Sequence, residues 1–189
     1  GTAITTADES VALGSEALES TTTGSWNVGI GFQALEETTT GEANVGIGHR
    51  AMESLTTGDY NIGVGRLALG TMTTANNNTA VGNLALYTTT SSDNTAVGYR
   101  AGNSQTTGDG STFVGYEAGK SVTTGANNSS LGKGALYSVT TSANNTGIGG
   151  WSTWQVTTGV GNTGLGYWSA RNITTGSYNV GLGFDSQAS

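Results

Sequence analysis

One short pattern returns eleven times along this chain, and its spacing constrains the fold more than any other feature. The pattern is Asn or Ser, any residue, a usually small residue, an aliphatic residue and glycine. It reads Ser10-Val11-Ala12-Leu13-Gly14, then Asn27-Val28-Gly29-Ile30-Gly31, then Asn44-Val45-Gly46-Ile47-Gly48. It restarts at Asn61, Asn78, Asn94, Ser111, Asn128, Asn145, Asn162 and Asn179. Each step is 17 residues except the 16 from Asn78 to Asn94. A fixed period of this kind is the signature of a repeat architecture.

Other positions keep the same register. Three residues past the glycine stands a small residue: Ala17, Ala34, Ala51, Ala68, Ala85, Ala101, Ala118 and Ala135, then Ser152, Ser169 and Ser186. An apolar residue follows it in the early coils, as at Leu18, Leu35, Met52, Leu69 and Leu86. A Thr-Thr pair closes the unit, usually before glycine, from Thr22-Thr23-Gly24 to Thr174-Thr175-Gly176.

Seventeen residues are too few for a helix-pair repeat, whose units run above roughly 30. Short strands and turns fit. The spacing predicts an all-β parallel solenoid of eleven coils filling residues 10–189, with 1–9 as a leading segment. Stacked coils rise about 4.8 Å each, giving a rod roughly 50 Å long. The aliphatic residues Leu13, Ile30, Ile47, Val64, Val81, Val97, Val114, Leu131, Ile148, Leu165 and Leu182 are expected to form a continuous buried ladder. The neighbouring glycine fits a tight bend or a close backbone approach, and Asn and Ser suit turns. Each coil offers so little apolar volume that self-association around a common axis is the expected support.

Composition agrees and excludes alternatives. The chain has 32 glycines among 189 residues, no proline and no cysteine, and only 10% charged residues. That rules out collagen, proline-rich linkers, disulfides and thiolate metal sites. A net charge of −7 would repel a nucleic-acid backbone. No apolar run approaches the roughly 20 residues of a membrane-spanning helix. The chain opens at Gly1, so a processed protein or a segment of a longer one is expected.

Ser10-Val11-Ala12-Leu13-Gly14-Ser15-Glu16-Ala17 resembles the head repeat of YadA-like trimeric autotransporter adhesins. Asn94-Thr95-Ala96-Val97-Gly98-Tyr99-Arg100-Ala101-Gly102 is similar to repeats of phage tail-fibre and related virion proteins. The resemblance spans residues 9–186. It implies a left-handed parallel β-roll, a homotrimer, and attachment to a cell surface or service as a fibre shaft. The 17-residue coils are longer than the adhesin repeat, and neither a coiled-coil stalk nor a membrane anchor is evident, which favours a fibre or appendage segment.

The candidate sites are few. Trp151 and Trp168 share one register and are expected to stack on adjacent coils. Tyr167 and Phe184 form a parallel ladder one position earlier, with Trp154 nearby. These five rings either bind a glycan or receptor by stacking or cover the last coils and a subunit interface. Glu19, Glu36 and Glu53 also share a register, with Glu37 and Glu42 nearby, and nine of thirteen acidic residues precede residue 60. A solvated face is expected there rather than a Ca²⁺ site, since no calcium-binding nonapeptide accompanies them. The Thr pairs raise an ice-binding reading, but adjacent strand residues point to opposite faces, so each pair offers one outward Thr. Val122, Val139, Val156 and Ile173 replace the preceding Thr in later coils, which points to burial on that side. His49, the only histidine, sits at a variable position shared with Phe32, Arg66 and Tyr99. Gly29-Ile30-Gly31 and its repeats lack the strand–helix context of a dinucleotide fingerprint.

The sequence therefore predicts a non-enzymatic structural or adhesive protein with no catalytic residues, metal or cofactor. The leading expectation is a homotrimeric virion or extracellular fibre segment, partnered by other fibre or virion proteins and by a surface glycan or receptor. A bacterial adhesin head and a monomeric ice-binding solenoid are the alternatives.

Overall fold

A computed structural model of the chain describes residues 9–186. It contains eleven three-residue strands: β1 (Val11–Leu13), β2 (Val28–Ile30), β3 (Val45–Ile47), β4 (Ile62–Val64), β5 (Thr79–Val81), β6 (Thr95–Val97), β7 (Thr112–Val114), β8 (Ser129–Leu131), β9 (Thr146–Ile148), β10 (Thr163–Leu165) and β11 (Val180–Leu182). They form one sheet in sequential order. Every pairing is parallel and keeps the repeat register, as in Val28 beside Val45 and Thr163 beside Val180. The chain is thus a parallel β-solenoid with no helix among the described residues.

The 16-residue coil leaves the sheet intact, with Thr79, Ala80 and Val81 opposite Thr95, Ala96 and Val97. The shortening is absorbed in the turn. There the Ser91 carbonyl accepts from Asn78 Nδ2 at 2.9 Å, where other coils use the carbonyls of Gly41 and Gly58.

The glycine that ends each strand is required twice over. Gly14, Gly31 and Gly48 have φ of 137°, 131° and 132°, a region closed to residues with a side chain. A Cβ built on Gly14 would lie 2.4 Å from the carbonyl oxygen of Gly31, and one on Gly31 would lie 2.5 Å from that of Gly48. Beyond it the chain turns through left-handed residues, in the second coil Gln33 (φ 54°) and Leu35 (φ 55°). Coil-to-coil backbone bonds hold these residues, Gln33 N–H on the Ser15 carbonyl at 3.0 Å and Leu35 N–H on the Ala51 carbonyl at 3.0 Å.

The aliphatic ladder is continuous, but it is not buried, contrary to the expectation from sequence. Strand residues alternate faces, so the middle residue of each triplet points inward and the two flanking residues point outward. Leu13, Leu131 and Leu182 are 65%, 51% and 70% exposed. Val81, Val97, Ile148 and Leu165 are also exposed, while Ile30, Ile47, Val64 and Val114 are half-buried. The core belongs instead to the Ala and Leu that follow the strand: Ala17 and Leu18, Ala34 and Leu35, Ala51 and Met52, Ala68 and Leu69. The residues before the Thr pairs join them, including Leu55, Met72, Val122, Val139 and Val156. The narrow rod is not starved of burial. Its surface of 7761 Å² compares with roughly 8,400 Å² for a compact monomer of 19.0 kDa.

Core volume is shared between neighbouring segments. In the early coils the inward strand residue is glycine because a leucine fills its space: a Cβ on Gly29 would meet Leu18 at 3.0 Å, and one on Gly46 would meet Leu35 at 2.9 Å. At β7 the relation inverts. Phe113 is fully buried, and the Leu positions on either side of it are Gly102 and Gly119, where a Cβ would fall 2.6 Å and 2.1 Å from the Phe113 ring.

The opposite corner of the core is polar. Asn27, Asn44, Asn61 and Asn78 are buried and bonded in series. Asn27 Oδ1 accepts the Asn44 backbone N–H at 2.9 Å and Asn44 Nδ2 at 3.2 Å, and Asn44 Oδ1 does the same for Asn61. The ladder runs on through Asn94, Asn128, Asn145, Asn162 and Asn179. At its one break among these coils, Ser111, the buried Gln105 reaches in, and its Nε2 donates to Asn94 Oδ1 at 2.9 Å and to the Gly108 carbonyl.

Two stability outcomes follow. Gly102→Leu, at the position that pairs with Phe113 as Leu18 pairs with Gly29, should destabilise by about 1–3 kcal/mol through overpacking. Adding Phe113→Gly should recover much of that loss by recreating the early-coil pairing, read as coupling in a denaturant double-mutant cycle. Asn61→Ala strands the Asn78 N–H and the Ala75 carbonyl, which accepts from Asn61 Nδ2 at 2.8 Å. It should cost about 1–3 kcal/mol per orphaned group, and clearly more than Asn179→Ala at the half-buried end of the ladder.

Candidate functional site

Three surfaces could carry function: the outer face of the sheet, the aromatic last coils and the acidic first coils. The sheet face is the most extensive. Eleven strands with two outward residues each present 22 positions, and none of them is charged. One rank is aliphatic from Leu13 to Leu182. The other is Val11, Val28, Val45 and Ile62, then Thr79, Thr95, Thr112, Ser129, Thr146 and Thr163, then Val180. Beside it, the rank that follows the strand-ending glycines holds exposed rings interrupted by Ser15, Arg66, Asn83, Lys133 and Gly150. Phe32 lies 5.3 Å from His49 and Tyr99 lies 5.3 Å from Tyr116 between ring centroids. His49 is thus an exposed member of a packed rank.

At the last coils the expected aromatic residues do gather, in a different arrangement. Tyr167 and Phe184 stack as expected, with centroids 6.0 Å apart and planes within 10°. Trp151 and Trp168 do not stack on one another. Trp151 leans back over Gly134, where a Cβ would sit 2.3 Å from the indole, and meets Trp154 edge-on at 5.7 Å. Trp168 packs beside Tyr167 at 4.8 Å and Phe184 at 6.4 Å. Trp151, Trp154 and Trp168 then line an open apolar pocket of about 190 Å³. All three indoles are half-buried, whereas Tyr167 and Phe184 are exposed. The Trp154 indole N–H is buried without an acceptor.

Cations flank this pocket. The Arg171 guanidinium lies 4.7 Å from the Trp168 ring centre and pairs with Asp185 at 3.0 Å. The Lys133 ammonium lies 5.8 Å from the Trp151 ring and 5.6 Å from that of Tyr116. Neither cation was singled out from the sequence. The available signal was register: Lys133 stands one repeat before Gly150, and Gly134 one repeat before Trp151.

The Thr pairs serve the rod itself. In most coils the first Thr of the pair donates its hydroxyl to a carbonyl of the next coil, Thr39 to Thr56 at 3.2 Å and Thr106 to Thr123 at 3.1 Å. Val122, Val139, Val156 and Ile173 are buried, as their drift from Thr predicted. The second Thr, such as Thr40 or Thr57, faces solvent, and so does the first at Thr22, Thr73 and Thr174.

In the first coils Glu53 is paired with Arg50. Glu16, Glu19 and Glu36 bring carboxylate oxygens within 4.8 Å of one another. Partial burial and the Glu16, Glu19 and Glu37 charges push the Glu36 carboxyl above its usual 4.5, against a hydrogen bond from Gln33 that lowers it. A raised pKa means the folded state favours the protonated form. Its stabilising contribution is complete below about pH 4.5 and is lost as pH rises through the raised value. Glu36→Gln should therefore raise the melting temperature at pH 7, and the gain should vanish near pH 4, as thermal scans at the two pH values would show.

Comparison with known proteins finds no matching family model, no matching curated protein and no matching solved structure.

Proposed function

We propose that this chain is a segment of a homotrimeric fibre or appendage, of the viral tail-fibre kind, that carries a repetitive surface for attachment to a cell or glycan receptor. The observation that carries this reading is the uncharged outer face of the sheet. Soluble monomers rarely leave contiguous apolar patches beyond a few hundred Å², and here two uncharged ranks run the whole length of the rod. Burying an aliphatic side chain that is about half exposed contributes roughly 1 kcal/mol, repeated over eleven coils. Cyclic association closes such a face, whereas open association would polymerise it.

On this reading the role is mechanical rather than catalytic. Hydrogen bonds between coils resist extension, and the turns on the far side of the strands carry variable residues outward. Receptor contact belongs at the Trp151–Phe184 end, where ring faces are accessible. The setting is a virion or another extracellular surface, with other fibre proteins as neighbours. A bacterial adhesin head uses the same physics and is the close alternative. Ice binding is the alternative from another class, and it is weakened because the first hydroxyl of most Thr pairs is committed to the backbone.

Light scattering coupled to size exclusion tests the proposal. The expected mass is about 57 kDa, three times 19.0 kDa, and stable on dilution. Leu131→Lys together with Val97→Lys places charges at positions already exposed in the single chain. The variant should fall to one chain while keeping its circular dichroism. A stable wild-type monomer would sink the proposal, and thermal hysteresis would then be measured.

A further inference from the structure

We infer that the pocket formed by Trp151, Trp154 and Trp168 binds a single carboxylated sugar ring, with the ring face against indole and the carboxylate at Lys133. The inference rests on the attachment role proposed above and names the chemistry of its ligand. Three half-buried indoles line the pocket. Flat apolar walls of this kind match the C–H face of a pyranose. A volume of about 190 Å³ is below the roughly 300–1,000 Å³ of sites for drug-sized ligands, so it suits one ring and not an extended chain.

Charge selects among ligands that like indole. A cage of tryptophans would otherwise suit a quaternary ammonium. Here the protein's own cations already stand over two of the rings, Lys133 over Trp151 and Arg171 over Trp168. A further cation would be repelled and an anion attracted. Of the two, Arg171 is committed to Asp185 at 3.0 Å. Lys133 has no carboxylate within ion-pair distance among the described residues, so its charge is left for a ligand. The wider distribution of charge agrees. Residues 1–59 hold nine acidic and one basic residue, net −8, while residues 60–189 hold four acidic and five basic, net +1, which together make the −7 of the chain. An acidic saccharide is thus steered toward the tryptophan end.

The pocket can be read by its own fluorescence, because three of the four tryptophans line it. Trp26→Phe removes the fourth. The probes are a glucuronate-containing tetrasaccharide and the same tetrasaccharide after carboxyl reduction, titrated into the full chain at low salt. The expected result is saturable quenching by the acidic probe and binding of the reduced probe at least about tenfold weaker. Lys133→Gln should cost the acidic probe a similar factor, Trp151→Ala should abolish the response, and added salt should weaken it. Equal binding of the two probes, no binding of either, or indifference to Lys133→Gln would overturn the inference. Solution mass measured on the same samples separates the two proposals. A trimer that ignores both probes refutes the pocket alone, and a monomer that binds the acidic probe refutes the fibre alone.

Discussion

The contact on which this structure depends is backbone against backbone, where the strand-ending glycines of successive coils meet. From Gly14 to Gly166 a Cβ would stand 2.4–2.7 Å from an atom of the next glycine, closer than real Cβ contacts come. No side chain could be inserted without separating the coils and breaking the parallel ladder beside them. The same residues take φ near 130°, so steric room and conformation demand glycine together. This contact fixes the coil spacing, and the spacing then determines what can pack. Left-handed residues in the turn, costly for non-glycine residues, are held because each is hydrogen-bonded to the coil before or after it.

With the spacing fixed, the inward strand position and the side chain it packs against cannot both be large. The chain meets that limit by trading volume between segments, glycine against leucine in the early coils and Phe113 against Gly102 and Gly119 in the middle. The remaining corner is given to asparagine, whose amide can both accept from the next coil and donate to a turn carbonyl. A polar stack inside a narrow core is tolerable because the Asn44–Asn61–Asn78 chain of bonds satisfies its members in series. The absence of proline follows from the same demand, since few backbone N–H groups in such a coil can be spared.

The period, the strands and the parallel register were legible in the sequence because they depend only on which residue types recur and how far apart. The direction of the side chains was less legible. Leu13 and its equivalents are the most hydrophobic residues of the motif, and hydrophobicity alone places them inside. Strand alternation places them outside, and the modest Ala17 and Leu18 positions become the core. The asparagines were read as local turn residues, yet their principal bonds span 17 residues, a relation visible only once coils are stacked. Trp151 and Trp168 were correctly matched in register. Their failure to stack traces to Gly134, which lets Trp151 tilt toward the preceding coil and opens the pocket. That consequence lies in rotamers, and spacing does not encode it.

The departures from perfect repetition acquire meaning in the assembly proposed above. Identical coils with a uniform outer face could pair with a neighbouring copy one coil out of step at little cost, since every slip by one period restores the same contacts. This chain is not uniform. Its first outward rank is aliphatic through Ile62, hydroxylated from Thr79 to Thr163, and aliphatic again at Val180. A slipped neighbour would set Thr79 against an aliphatic patch or leave Ile62 facing hydroxyls, and each further step of slip adds to the mismatch at the Val180 boundary. The 16-residue coil between β5 and β6 falls just past the first boundary and breaks the period of the turns while leaving that of the sheet. Repetition builds the rod, and in the proposed assembly these irregularities would give it a defined register.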